Sequence, residues 1–185
     1  MKSGRPWEVL SDQKLVDRRW LRIREQRVRL PNGHTIDEFH LIEGPDWASV
    51  LALTDDGNAV LVRQYRHGAG VDSLELPAGV IEPGEAGAVA AERELLEETG
   101  YRAASLHPLL TVDTEPARHT TRAHLFVATG AWSAGPPRPE ASEQLELVVI
   151  PARELAARID SGEIRHGVHV GAILLAARRG FLSLD

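Results

Sequence analysis

Five glutamates, Glu85, Glu92, Glu94, Glu97 and Glu98, and one arginine, Arg93, crowd the stretch between Gly84 and Gly100. On a helix, residues three and four apart share a face, so Glu94, Glu97 and Glu98 project together. Like charges at that spacing destabilise an isolated helix by about 0.2–0.5 kcal/mol per pair. A cation is the natural compensation. Hard divalent ions take oxygen ligands, and Mg²⁺ is usually held by a few carboxylates while it keeps waters and substrate phosphate oxygens in its octahedral shell. Mn²⁺ accepts the same donors. The chemistry these residue types indicate is therefore a Mg²⁺–diphosphate site; the plainer alternative is a solvated acidic face on which Arg93 pairs locally.

The element that positions these groups is a helix from about Glu85 to Thr99, with Val89, Leu95 and Leu96 on its apolar side and Gly100 as its C-terminal stop. Upstream, alternating residues from Trp20 to Leu30 and from Thr35 to Ile42 flank the turn Pro31-Asn32-Gly33-His34, which predicts a β-hairpin. A second hairpin is written by Ala48–Leu53, the turn Asp55-Asp56-Gly57-Asn58 and Ala59–Tyr65, followed by a short strand over Ser73–Leu76. Downstream, strands are expected at Ala104–Val112, Ala123–Thr129 and Leu145–Ile150. The loop Ser133–Pro139 breaks all periodicity and reads as flexible. Pro151 opens a helix to about Ile159, and Val168–Arg179 forms a terminal helix. Strands and helices mix without a βαβ rhythm, so the fold class is α/β (α+β), a mixed sheet with helices packed on it.

A length of 185 residues suits one compact core, with residues 1–45 as an N-terminal β-segment and residues 46–185 as the main domain. The balance of 21 Lys+Arg against 27 Asp+Glu gives a formal charge of −6, which argues against a nucleic acid partner. With no cysteine, disulfides, thiolate metal sites and a cysteine nucleophile are excluded, so any metal is held by oxygen or imidazole. The N-terminus runs into polar sequence without an apolar leader, and the apolar run Val170–Ala177 is too short for a membrane span, so no membrane association and a cytoplasmic location are expected.

Read from Gly79, the chain gives Gly79-x5-Glu85-x7-Arg93-Glu94-Leu95-x-Glu97-Glu98-x-Gly100-Tyr101, which matches the Nudix box at every specified position. The chain thus resembles the Nudix hydrolases. That resemblance implies an αβα sandwich in which the box loop and helix bind divalent metal beside a diphosphate. It implies Glu94 and Glu98 as the main metal carboxylates, Glu97 and Glu85 as auxiliary ligands, and Arg93 as the arginine that orients a box carboxylate. In one branch the carbonyl before the box glycine also ligates metal, here Ala78.

That branch, the ADP-ribose and nucleotide-sugar pyrophosphatases, is resembled by Val62-Arg63-Gln64-Tyr65-Arg66, by Leu74-Glu75-Leu76-Pro77-Ala78-Gly79 and by Pro116, sixteen residues beyond Gly100 at the branch's marker proline. The similarity implies hydrolysis of a small nucleotide substrate such as ADP-ribose to a nucleoside monophosphate and a sugar phosphate. It also implies a homodimer formed through the N-terminal segment. A strand-end arginine such as Arg66 offers a bidentate fork to phosphate, and Arg63 is a further substrate-binding candidate; Tyr65 packs under the sheet. Trp20 and Trp47 are the candidate base-stacking platforms. His166 and His169, three apart without an acidic partner, read as packing or surface residues rather than zinc ligands.

One departure stands out. After the marker proline the branch reads Pro-Gly-Phe-Thr-Asp-Glu, whereas this chain reads Pro116-Ala117-Arg118-His119-Thr120-Thr121, so the loop carboxylate near the catalytic water is missing. Either the base lies elsewhere, or the metal alone activates the water, or the chain binds nucleotides without turning them over. Among substitutes, Glu97 ranks first for its place beside the metal carboxylates and His119 second, with Glu115 and Glu143 as further candidates.

Overall fold

The computed structural model describes residues 6–19, 21–138 and 144–184, so the expectations placed on Trp20 and Glu143 lie outside the described residues. The chain divides into two compact units, Met1–Pro45 with Asp113–Arg122, and Asp46–Val112 with Ala123–Asp185.

The first unit is an antiparallel sheet in the order β1 (Glu8–Arg18), β2 (Leu21–Arg29), β3 (Thr35–Glu43). The β2–β3 turn is the one expected from sequence: Gly33 has φ +86°, its N–H donates to the Leu30 carbonyl, and Asn32 Oδ1 accepts from His34 N–H. Residues 114–121 run beside β3, where Ile42 N–H donates to Arg118 O and Thr120 N–H to Ile42 O. Among the described residues of this unit, Val28 alone is buried.

The second unit is built on a seven-stranded sheet. Its path is β10 (Leu145–Pro151), β5 (Asn58–Arg66), β4 (Trp47–Thr54), β9 (Arg122–Ser133), β8 (Tyr101–Asp113); β6 (Val71–Glu75) pairs with β5, and β7 (Ala78–Val80) pairs with β4. The sheet is mixed, since β4 runs parallel to β9 and antiparallel to β5 and β7. Alternation along β4 and β5 sends Leu51, Leu53, Ala59 and Leu61 to a core shared with α2 (Leu155–Asp160) and α3 (Gly167–Arg178). Val50, Ala52 and Val60 go to a second core shared with α1 (Gly87–Thr99). Helices on both faces make this an αβα sandwich. No helix among the described residues is long and apolar enough to cross a membrane.

Three local expectations are corrected. Pro151 ends β10 with extended backbone, and a 3₁₀ turn, Ala152–Glu154, precedes α2; a proline without an N–H is tolerated there because β10 is an edge strand. On α1, Ala90, Ala91 and Leu95 meet the core, while Val89 is exposed. The loop after β9 is tied down over its described part: Ala134 N–H donates to Gly100 O at 2.8 Å and Arg138 N–H to Glu97 O at 2.7 Å. Those bonds take up carbonyls that the end of α1 leaves without a helical partner.

Candidate active site

The site grows from a split in the sheet. β4 and β5 pair only at Ala52↔Val60 and Leu53↔Ala59, next to their turn. Beyond that point β6 lines β5 and β7 lines β4, and the chain crosses between them through Leu76 and Pro77, whose carbonyl accepts from Val50 N–H at 3.0 Å. α1 packs on β4 and β7, closed at its C-terminus by Gly100 with φ +74° and an N–H donated to Leu96 O. The box helix therefore lies over Ala78–Val80.

Glu94 and Glu98 are not on an exposed helix face, as their charge suggests, but 7% and 3% exposed on the inner one. Spacing by four places them together. Glu98 Oε2 accepts from Ala78 N–H at 3.0 Å. Glu94 lies against Gly79 so closely that a Cβ at 79 would stand 2.0 Å from its Oε1. Glycine is required here by space.

Arg93 holds the acids together. Its Nε and Nη2 donate to the two oxygens of Glu85 at 2.9 and 3.0 Å, its Nη1 to Glu94 at 2.6 Å and Glu97 at 3.1 Å, and its Nη2 also to the Val80 carbonyl at 3.0 Å. These bonds, together with one from Glu82 N–H, hold the Glu85 carboxyl below the usual carboxylate range. The same partners, Glu85 foremost, raise the affinity of Arg93 for its proton. Arginine's planar fork is suited to several oxygens at once, as a lysine ammonium is not.

This donor set fits a hard divalent cation. It is made of carboxylates, it gathers negative charge on one arginine, and the Glu94 carboxylate is seated against the bare Gly79 backbone. Glu94, Glu98 and the Ala78 carbonyl are the groups that could hold it, with Glu85 and Glu97 at the margin.

The remaining candidate residues are not all brought to the box. Arg66 donates through Nε and Nη2 to both oxygens of Glu75, at 2.9 and 2.5 Å. Arg63 stands on the α2/α3 side, where it pairs with Glu163 at 3.3 Å and Glu146 at 3.7 Å. Trp47 packs against the α3 core, edge-on to His166 and His169 with ring centroids 5.5 and 5.7 Å apart. Tyr65, expected under the sheet, is exposed and faces His67 at 6.1 Å. Pro116 lies in an exposed turn of the first unit, whose His119 pairs with Glu115 at 3.1 Å. Sequence reasoning passed over Glu75, 1% exposed beside Arg66 and 3.9 Å from His169 Nδ1. An acid between Leu74 and Leu76 in an apolar strand was the available signal.

Residues 45–169 match the NUDIX domain family, and residues 7–42 match the family described as the nucleoside diphosphate sugar hydrolase N-terminal domain. The chain is 32% identical over 172 residues to an ADP-ribose pyrophosphatase of Mycobacterium tuberculosis, covering 91% of this chain and 82% of that protein. It is 31% identical over 177 residues to a CMP-5'-(N-acetyl-N-hydroxy-3-aminopropyl)phosphonate hydrolase of Streptomyces rubellomurinus, covering 94% and 84%. A crystal structure of an ADP compounds hydrolase superimposes with a TM-score of 0.83 over 97% of this chain and 96% of that one, at 22% identity, and so shares the fold. A box that folds into an arginine-clamped carboxylate cluster, together with a domain match over two thirds of the chain, leaves one conclusion: this protein belongs to the Nudix family of hydrolases.

Proposed function

We propose that the protein hydrolyses the diphosphate linkage of ADP-ribose or a related nucleoside diphosphate sugar in a Mg²⁺-dependent reaction, giving nucleoside monophosphate and sugar phosphate. The observation that carries this reading is the pair Glu94 and Glu98, buried against Gly79 and Ala78, with Glu94 held by Arg93. Two carboxylates drawn together out of water face a desolvation penalty that a divalent ion would relieve. The names of the relatives, one acting on ADP-ribose and one on a CMP conjugate, support a nucleotide joined through phosphorus to a second group.

In this reading Glu94, Glu98 and the Ala78 carbonyl hold Mg²⁺, or Mn²⁺ in its place, with Glu85 and Glu97 assisting. The bound cation supplies Lewis acidity at the diphosphate and at the attacking water. Arg93 keeps Glu85, Glu94 and Glu97 in register. Arg66 offers its guanidinium to the diphosphate, and Glu97, half exposed and held by Arg93 at 3.1 Å, takes the proton of the water. Base stacking on Trp20, and substrate-class selection near Pro116, belong to the same proposal. Arg63 and Trp47 have packing and ion-pair partners that account for them, and we give them no part in the chemistry.

We assign residues 1–45 to dimerisation of the chain, with residues 46–185 as the catalytic domain. A three-stranded sheet with one buried residue among those described gains little from its own core, and Trp7, Val9, Leu15 and Leu21 of the same segment are 44–52% exposed. A second copy would cover them.

One observation favours a second reading, in which the chain binds nucleotides without turnover: threonines stand at 120 and 121 where the branch carries acids. A panel of ADP-ribose, other nucleoside diphosphate sugars, nucleoside triphosphates and dinucleoside polyphosphates separates the two. Phosphate release is read after coupled phosphatase treatment, with Mg²⁺, Mn²⁺ or EDTA. Metal-dependent turnover of ADP-ribose or a nucleotide sugar, lost in Glu94→Gln and Glu98→Gln, is expected. Binding without turnover on every substrate would overturn the enzymatic reading.

A further inference from the structure

Glu75 is a carboxylate 1% exposed to solvent, at the end of β6. Such a group stays ionised only where a partner takes up its charge. Two histidine rings stand nearby. His169 Nδ1 lies 3.9 Å from Glu75 Oε2, but it accepts from Leu76 N–H at 3.4 Å and therefore presents a lone pair, not a proton, on that side. His166 stacks on His169 at 4.1 Å with 21° between the planes, and Trp47 closes both rings edge-on. Burial holds both imidazoles below their ordinary pKa, so neither brings a positive charge. Arg66 does.

The geometry of that pair is two-pronged. Nε and Nη2 meet the two carboxylate oxygens, an arrangement that fixes the plane of a guanidinium as well as its distance. The β5–β6 register sets it up: Val62 opposes Glu75 and Arg66 opposes Val71, so acid and arginine stand on one face of the sheet. The Glu75 side chain is 1% exposed, while the Arg66 side chain is 45% exposed at the end of its strand. An arginine so placed and unheld would lose considerable rotamer freedom on meeting a ligand. An ion pair here is not needed for stability alone, since apolar residues of similar volume commonly replace buried pairs at no loss.

We propose that Glu75 is a positioning residue for phosphate recognition: its buried carboxylate fixes the orientation in which the Arg66 guanidinium meets the substrate diphosphate. The proposal rests on the assignment of Arg66 to the diphosphate under the function above. Glu75 is three residues before Ala78 on the same crossing segment, so one stretch of backbone sets both the arginine's anchor and the box carbonyl.

The test compares Glu75→Gln, Arg66→Ala and the double variant. KM and kcat are measured for ADP-ribose, and affinity for ADP is measured calorimetrically without turnover. Glu75→Gln is expected to raise KM and weaken ADP binding about tenfold or more, the scale of a lost charge-assisted hydrogen bond, with kcat within about threefold. In the double variant the effect should equal that of Arg66→Ala alone, because the acid acts through the arginine. A merely structural acid would leave KM alone or add its effect in full. If Glu75→Gln does not fold, Glu75→Asp, which keeps the charge but withdraws it by one methylene, replaces it with the same expectation. Unchanged KM in the folded acid variant, or multiplied effects in the double variant, would overturn the proposal while the function stands. A wild-type protein that neither cleaves ADP-ribose nor binds ADP would overturn both.

Discussion

Replacing Gly79 by alanine adds one methyl group at the tightest point of the site. The new Cβ would stand 2.0 Å from one oxygen of the Glu94 carboxylate and 2.6 Å from the other. Ordinary contact begins near 3.5 Å, so the carboxylate has to withdraw by about 1.5 Å. Arg93 cannot follow it, because the same guanidinium is bound to both oxygens of Glu85 and to the Val80 carbonyl. The 2.6 Å bond from Arg93 Nη1 to Glu94 is therefore lost or badly stretched. What moves is the end of a side chain, so the fold survives. Losing one charge-assisted hydrogen bond costs about 1.5–3 kcal/mol, and a chain of this size drops about 2–4 °C in Tm per kcal/mol, so a fall of about 3–12 °C is expected.

Catalysis suffers more. Displacement of a positioned group by about 1 Å commonly costs about 10²-fold in rate. Turnover of ADP-ribose by Gly79→Ala should fall by about that factor at limiting Mg²⁺, with part of the loss recovered at high Mg²⁺. Coupled phosphate release across a Mg²⁺ series, beside a thermal melt by circular dichroism, reads both quantities. The displacement acts on Glu94, so Gly79→Ala should cost little more when Glu94 is already glutamine. Turnover within about threefold of wild type at limiting Mg²⁺, in a folded variant, would refute the reasoning.

Arg93→Met removes the cation shared by Glu85, Glu94 and Glu97, and breaking a half-buried ion network of this kind costs about 3 kcal/mol. A Tm drop of about 6–12 °C in EDTA, partly restored by Mn²⁺ or Mg²⁺, is expected by differential scanning fluorimetry, and an unchanged Tm in EDTA would count against the clamp. His166 and His169 are held neutral by burial, so below about pH 6.5 the unfolded chain binds protons that the folded one does not; their stabilising contribution is present above that pH and lost as it falls. His169→Leu should flatten the slope of Tm between pH 7.5 and 5.5; an unchanged slope would show that other groups set it. Light scattering at micromolar concentration should give a dimer, converted to monomer by Val9→Glu with Leu15→Glu, and a monomeric wild type would remove the role given to residues 1–45.

Turns and caps were legible because a single residue carries them. Gly33, Gly57 and Gly100 all have φ between +74° and +86°, which only glycine takes readily, so their positions mark where strands and the box helix stop. The box spacing likewise names the acids that Arg93 gathers, since residues at i and i+4 meet on any helix. Their burial was not legible. A run of glutamates reads as a solvated face, and the groups that make Glu98 and Glu94 tolerable inside, the Ala78 N–H and the bare Gly79 backbone, come from a strand that local periodicity gave no reason to draw. Glu75 escaped for the same reason at longer range, because its neighbour His169 is ninety-odd residues away and meets it only after α3 folds onto the sheet.

Arg63 and Arg66 are a different case, because there the information was present. Side chains alternate along a strand, so two residues three apart lie on opposite faces whatever the rest of the fold does. The ion pairs show it, Arg63 with Glu163 just before α3 and Arg66 with Glu75 at the end of β6. Arg63 and Arg66 therefore serve opposite faces of the strand that carries them. The period of two already said which residues Arg66 could share a face with: Gln64 and Val62 on its own strand, and Glu75 across from Val62.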